Sequence, residues 1–136
     1  MATITPTLSL TSNASTASTP GPLSVALSLS ATKATTVNGN VTSKVCGVTT
    51  THTDNLIFDA STTNEAYIYI NNTSDEIIYV CNDDAETAAN RFMALRAGEF
   101  AWFPWFAASA GTATDIYLDH SGGGTKNVEY WIFEVA

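Results

Sequence analysis

Few residues in this 136-residue chain are of types that do chemistry, and their spacing limits what they can do. His52 and His120 are the two histidines, and neither has another His, a Cys or a carboxylate at metal-ligand spacing along the chain. His120 follows Asp119 and precedes a glycine run, so it reads as a polar residue at a loop edge. The run Gly122-Gly123-Gly124 does not lead from a buried strand into a helix and precedes no Lys-Ser or Lys-Thr pair, as a phosphate cradle requires. It reads as a loop that permits positive φ. No Gly-x-Ser-x-Gly elbow is present to expose a serine nucleophile. Acidic pairs occur at Asp75-Glu76, Asp83-Asp84 and Glu129 with Glu134. A glycosidase needs two carboxylates held ~5 to 10 Å apart across a cleft, and so short a chain leaves little with which to build one. Cys46 and Cys81 lack zinc or redox spacing; two small buried thiols are expected, with a single disulfide as the alternative. The expectation is a protein without catalytic residues, metal or cofactor.

Chemistry of a different kind gathers in Leu95 to Phe106, where Phe100, Trp102, Phe103, Trp105 and Phe106 fall close together. That is more aromatic surface than one core face requires. One arrangement puts Phe100 and Trp102 on one side, Phe103 on the other, and Trp105-Phe106 in a corner plug. The other exposes Trp105 and Phe106 as a patch that docks against another subunit, because exposed apolar patches mark interfaces. Leu8, Leu10, Trp102, Trp105 and Phe106 are the candidate interface residues. A second function class follows from Tyr67, Tyr69 and Trp105 beside Asn71 and Asp75: rings that stack on pyranoses, with acceptors for their hydroxyls.

The elements that must position these residues are strands. Leu23, Val25, Leu27 and Leu29 alternate with small polar residues, the pattern of a half-buried strand. Val37-Asn38-Gly39-Asn40-Val41 carries the Asn-Gly pair of a tight hairpin. A strand is expected near Asn55 to Asp59, with Leu56 and Phe58 on one face. Tyr67 to Ile70 and Ile77 to Cys81 flank a polar stretch and predict two central strands joined as a hairpin, buried on both faces. Arg91 to Leu95 and Glu99 to Phe103 surround Arg96-Ala97-Gly98, and Asp115 to Asp119 and Asn127 to Val135 are the last two strands. In the final one, Trp131 and Phe133 face opposite to Tyr130 and Ile132. The single helical hint, Asp83 to Asn90, is at most two turns. About eight strands at this spacing predict an all-β, antiparallel sandwich or jelly roll. Residues 1 to 22, rich in Thr and Ser with Pro6 and Pro20, predict an arm that is either extended, with one short edge strand at Leu8 to Leu10, or disordered, ahead of a single domain over 23 to 136.

Thirteen acidic against five basic residues give a net charge of −8, while charged residues make up only 13% of the chain. Ser and Thr fill roughly a quarter of it, well above average usage. No basic stripe exists to displace counterions from a phosphate backbone, so nucleic acid is excluded as a direct partner, and so is an anionic membrane surface. The first residues have neither the charged nor the apolar region of a secretory signal, and no apolar run reaches the ~18 residues of a membrane-spanning helix. A protein made in the cytoplasm is expected.

Two resemblances rest on quoted residues. Gly98 followed by Pro104 resembles the glycine-to-proline spacing of the second cupin motif, in which a turn glycine opens a jelly-roll strand and a proline ends it. The metal-binding histidines of that motif are absent, so the resemblance implies the architecture without the metal site. Tyr-Ile-Tyr-Ile-Asn-Asn-Thr (67 to 73), Leu-Arg-Ala-Gly-Glu-Phe-Ala-Trp-Phe-Pro-Trp (95 to 105) and Val-Glu-Tyr-Trp-Ile-Phe-Glu (128 to 134) are similar to segments of small virion accessory proteins of tailed bacteriophages. That resemblance implies a structural protein on the outer surface of the particle: a capsid decoration, or cement, protein. It implies a trimer whose partner is the major capsid protein or another virion subunit, with a carbohydrate-binding tail or fibre module as the alternative.

Overall fold

The computed structural model describes residues 2–11, 26–30, 35–61, 65–82, 88–107 and 114–136. Among these the regular elements are eleven strands and two short 3-10 turns, His52–Asn55 and Ala88–Asn90. The strands are β1 (Ala2–Ile4), β2 (Thr7–Thr11), β3 (Ala26–Ser30), β4 (Thr35–Val48), β5 (Leu56–Phe58), β6 (Glu65–Asn72), β7 (Ile78–Asn82), β8 (Arg91–Leu95), β9 (Phe100–Phe106), β10 (Ile116–Asp119) and β11 (Lys126–Val135). All pair antiparallel. The fold is all-β, as expected, with eleven strands among the described residues where about eight were expected.

A five-stranded sheet has the order β1-β4-β11-β6-β9, a four-stranded sheet the order β5-β10-β7-β8, and β2-β3 form a separate hairpin. From β4 onward every connection except β7 to β8 carries the chain from one large sheet to the other. The expected hairpins therefore fall differently. The segment after Asn72 is a corner between sheets, since β6 pairs with β11 and β9 while β7 pairs with β10 and β8. The turn at Arg96 to Gly98 is likewise a corner. Asn38-Gly39 makes no hairpin: β4 runs through it, and the register against β11 jumps from Phe133↔Val41 to Val135↔Val37. The pair is absorbed as a bulge, the other use of glycine inside a strand.

The two sheets enclose one core, which is what makes their alternation informative. Ala66, Ile68 and Ile70 of β6 and Val128, Tyr130 and Ile132 of β11 point inward and meet Ile57, Phe58, Ile78, Val80, Leu95, Ile116 and Leu118 of the four-stranded sheet. From Ala66 on, strand β6 alternates between buried and half-buried positions, so it is covered on one face only. At β5 it is Ile57 and Phe58 that are buried, while Leu56 is exposed. β2 contains the short strand expected at Leu8 to Leu10, paired residue for residue with β3. β1 pairs with Thr35 to Val37, on the edge of the five-stranded sheet.

Candidate functional site

The outer face of the five-stranded sheet receives every second residue of β11, β6 and β9, and the register sets these out as a grid. One row reads Glu129, Asn71, Phe100; the next Trp131, Tyr69, Trp102; the third Phe133, Tyr67, Pro104. Val45 of β4 extends the first row beside Glu129 and is 69% exposed. Six aromatic rings thus share one exposed face. Tyr67 stacks on Trp102 with centroids 5.5 Å apart, and Tyr69 meets Phe100 at 6.2 Å. Trp131 meets Phe133 at 5.9 Å. Phe100, at 62% exposure, is the most open ring of the grid, while the core on the opposite face excludes solvent.

A hollow of about 330 Å3 opens on this face, lined by Tyr69, Trp102, Glu129, Trp131 and Phe133. A second, of about 1090 Å3, shares Tyr69 and Trp102 and extends over Phe100 to Ile4, Leu8 and Leu29, so the β2-β3 hairpin forms one wall. Glu129 is the charged residue among those lining the smaller hollow, and its carboxylate is held in place. Asn71 Nδ2 donates to one oxygen at 3.2 Å and the Trp131 indole N–H to the other at 3.3 Å.

The residues expected at an interface divide between faces. Trp102 stands in the grid, Leu8 is exposed at the rim of the larger hollow, and Phe106 is 65% exposed at the end of β9. Trp105 lies on the inner side with Ala101 and Phe103, packs against the core and stacks on Phe92 at 5.5 Å. Its indole N–H donates to the Thr114 carbonyl at 2.8 Å. Period 2 along β9 explains the split: 100, 102, 104 and 106 face out, 101, 103 and 105 face in. The Leu10 side chain lies outside the described residues. Of the residues read as sugar contacts, Tyr67, Tyr69 and Asn71 share the outer face. Trp105 faces the core, and Asp75 sits apart, paired with Lys126 Nζ at 2.9 Å. Glu129, Trp131, Phe133 and Phe100 were not among the residues expected at an interface or a sugar site, although the alternation in β11 had set Trp131 and Phe133 on one face and Phe100 had been placed on one side with Trp102.

A second cluster is interior. His52, Cys81 and Asp119, from the first 3-10 turn, β7 and β10, bring their ligand-type atoms within 4.8 Å of one another. Spacing along the chain hid this, since each residue comes from a different element. His120 sits at the loop edge just past β10, as expected, but is buried, and its Nε2 is hydrogen-bonded to the Val48 carbonyl at 3.1 Å. Asp119 receives the Arg91 guanidinium, with Nε at 3.0 Å and Nη2 on the same oxygen, and Arg91 also lies over the Tyr79 ring. Burial, and then the Asp119 charge, push the Cys81 thiol up to about 11, so it is protonated at neutral pH. Both thiols are free. With the buried carboxylate answered by a guanidinium and the thiol neutral, this cluster is a polar plug inside the sandwich.

Comparison of the chain with known protein families, with curated proteins and with solved structures returns no match. The outer aromatic face is therefore interpreted on its own geometry.

Proposed function

We propose that this protein is a non-enzymatic structural component of a phage virion, a capsid decoration protein that docks on the outer surface of the head. The observation that carries the reading is the aromatic grid on the outer face of the five-stranded sheet. Rings packed against one another hold an apolar surface in shape at low conformational cost, which suits repeated contact with a rigid lattice. The strand orders support it. Leaving β1 aside, the orders β4-β11-β6-β9 and β5-β10-β7-β8 fit a jelly roll, an architecture used by viral capsid domains. The low charge and the hydroxyl-rich composition suit a surface that meets other protein chains, and the net charge of −8 suits a position away from packaged DNA. In this reading the protein is a trimer, and the outer edges of β1 and of the β2-β3 hairpin offer main-chain hydrogen bonds to a neighbouring subunit.

The test is co-sedimentation of the purified full chain with heads that lack it. Saturable binding in many copies per particle is expected. Deletion of residues 2 to 22 and, separately, Phe100→Ser with Phe106→Ser should each lower the copy number. Binding at only a few copies, or none, sinks the proposal.

A second reading has its own observation. Tyr67, Tyr69 and Asn71 stand together on the open face beside Glu129, as a carbohydrate-binding module of a tail or fibre would place them, and jelly rolls also serve as lectin domains. Binding on a glycan array, absent in Tyr69→Ala, would favour it.

A further inference from the structure

The geometry points to the smaller hollow as a binding site for a quaternary ammonium group, independent of whether the protein attaches to a particle. Strands β9 and β11 lie on either side of β6, roughly 9.5 Å apart at ordinary strand spacing, yet the rings of Trp102 and Phe133 approach to 5.4 Å, inclined at 58°. The two side chains therefore lean toward each other across β6 and border a hollow that stays open to solvent. Tyr69 and Trp131 complete a wall of four rings, and Glu129 closes the hollow as its one charged lining residue. Aromatic faces carry negative quadrupole density, so rings around a hollow attract a cation that can shed its water.

The hydrogen bonding of Glu129 narrows the choice of cation. Each carboxylate oxygen already accepts an N–H, from Asn71 and from Trp131. Glu129 thus offers its charge more readily than new acceptor sites. A primary ammonium brings three N–H donors that need partners, and beyond the Tyr69 hydroxyl and the remaining lone pairs of Glu129 the lining supplies none. A quaternary ammonium carries charge and no donors, and its methyl groups bury favourably against the rings. A neutral sugar would meet the same rings but gain nothing from the carboxylate charge.

The experiment follows tryptophan fluorescence of the full chain during titration with choline chloride at constant ionic strength, with sodium chloride as blank. Dimethylbutanol, in which carbon replaces the nitrogen of choline, runs in parallel, as do phosphocholine and a neutral glucan. Saturable quenching by choline is expected. Binding should weaken about tenfold with the carbon isostere and about tenfold in Glu129→Gln, which removes the charge and keeps the shape. An unchanged thermal midpoint in Glu129→Gln separates lost binding from lost fold. Phosphocholine as good as choline identifies a surface-linked headgroup as the ligand, whereas its exclusion identifies a free quaternary amine. Equal affinity for the carbon isostere, unchanged choline binding in Glu129→Gln, quenching by the glucan alone, or no quenching by any probe would each overturn the assignment.

Discussion

Asn72 ends β6 with both sides of its amide engaged. Nδ2 donates to the Glu76 and Leu95 carbonyls at 2.7 and 2.8 Å, and Oδ1 accepts from the Ser74 N–H and hydroxyl at 3.0 and 2.7 Å. One fully buried side chain therefore ties the β6-β7 corner to the end of β8. Asn72→Ala leaves buried carbonyls unpaired and should lower stability by about 3 kcal/mol in urea titration. Arg91→Leu strands the buried Asp119 carboxylate; a loss of about 3 kcal/mol is expected, with Asp119→Asn in the same chain restoring most of it. Cys81 has a signature in pH. Its thiol is raised from 9.0 to about 11 in the fold, so the folded state keeps a proton that the unfolded state gives up. Stability should thus fall as pH rises from about 9 to about 11, with no contribution from this group below that window. Alkylation of Cys81 at pH 8, followed by mass spectrometry, should be slow until denaturant is added. None of these partnerships was legible in the sequence. Asn-Asn-Thr-Ser has the turn chemistry of a hairpin and of a corner alike, and Asp119 lies 28 positions from Arg91.

Strand β9 is an edge of the five-stranded sheet, and Pro104 sits at the point where an edge is exposed to pairing. The Asn72 N–H donates to the Glu99 carbonyl at 2.9 Å, and the Gly98 N–H to the Asn72 carbonyl at 2.9 Å. Alternation from there makes Ile70/Ala101, Ile68/Phe103 and Ala66/Trp105 the hydrogen-bonded pairs and turns the nitrogen of residue 104 away from β6. A proline there costs the ladder nothing and denies a neighbouring strand one donor. Pro104→Thr should leave the thermal midpoint within a few degrees but raise self-association, visible as concentration-dependent mass in light scattering; unchanged mass would show that the edge is protected by other means. At this scale the sequence was informative about which residues form strands and which alternate residues face in. Tyr130 and Ile132 are buried, and Trp131 and Phe133 lie outside, as period 2 required. It misassigned pairing, because strand partners are chosen by long-range burial. A five-residue link such as 73–77 can close a hairpin or cross a sandwich edge with the same residues. Asn38-Gly39 shows the same ambiguity: the pair suits a bulge inside a strand as well as a tight turn.

At the scale of the whole molecule, β4 to β11 already form two facing four-strand layers around one core. The described residues of that core cluster begin at Val48; upstream of it, the buried hydrophobic residue is Val37, which pairs with Val135. β1 adds only an edge strand of three residues along Thr35 to Val37. β2 and β3 pair with each other and face the body across the larger hollow, which Leu8 and Leu29 line together with Phe100 and Trp102. A chain starting at Thr35 therefore keeps every core strand and the four rings and carboxylate of the smaller hollow, and loses one wall of the larger. It should unfold in a single cooperative transition, a few degrees below the full chain, because an edge strand and a surface hairpin bury little apolar area. Its Trp131 and Glu129 site should bind choline with the affinity of the full chain, while docking that depends on residues 1 to 22 should be lost. The two readouts separate the roles of body and arm. Loss of cooperative unfolding in the shortened chain would mean that the N-terminal strands are part of the folding unit, and that the boundary lies before residue 23.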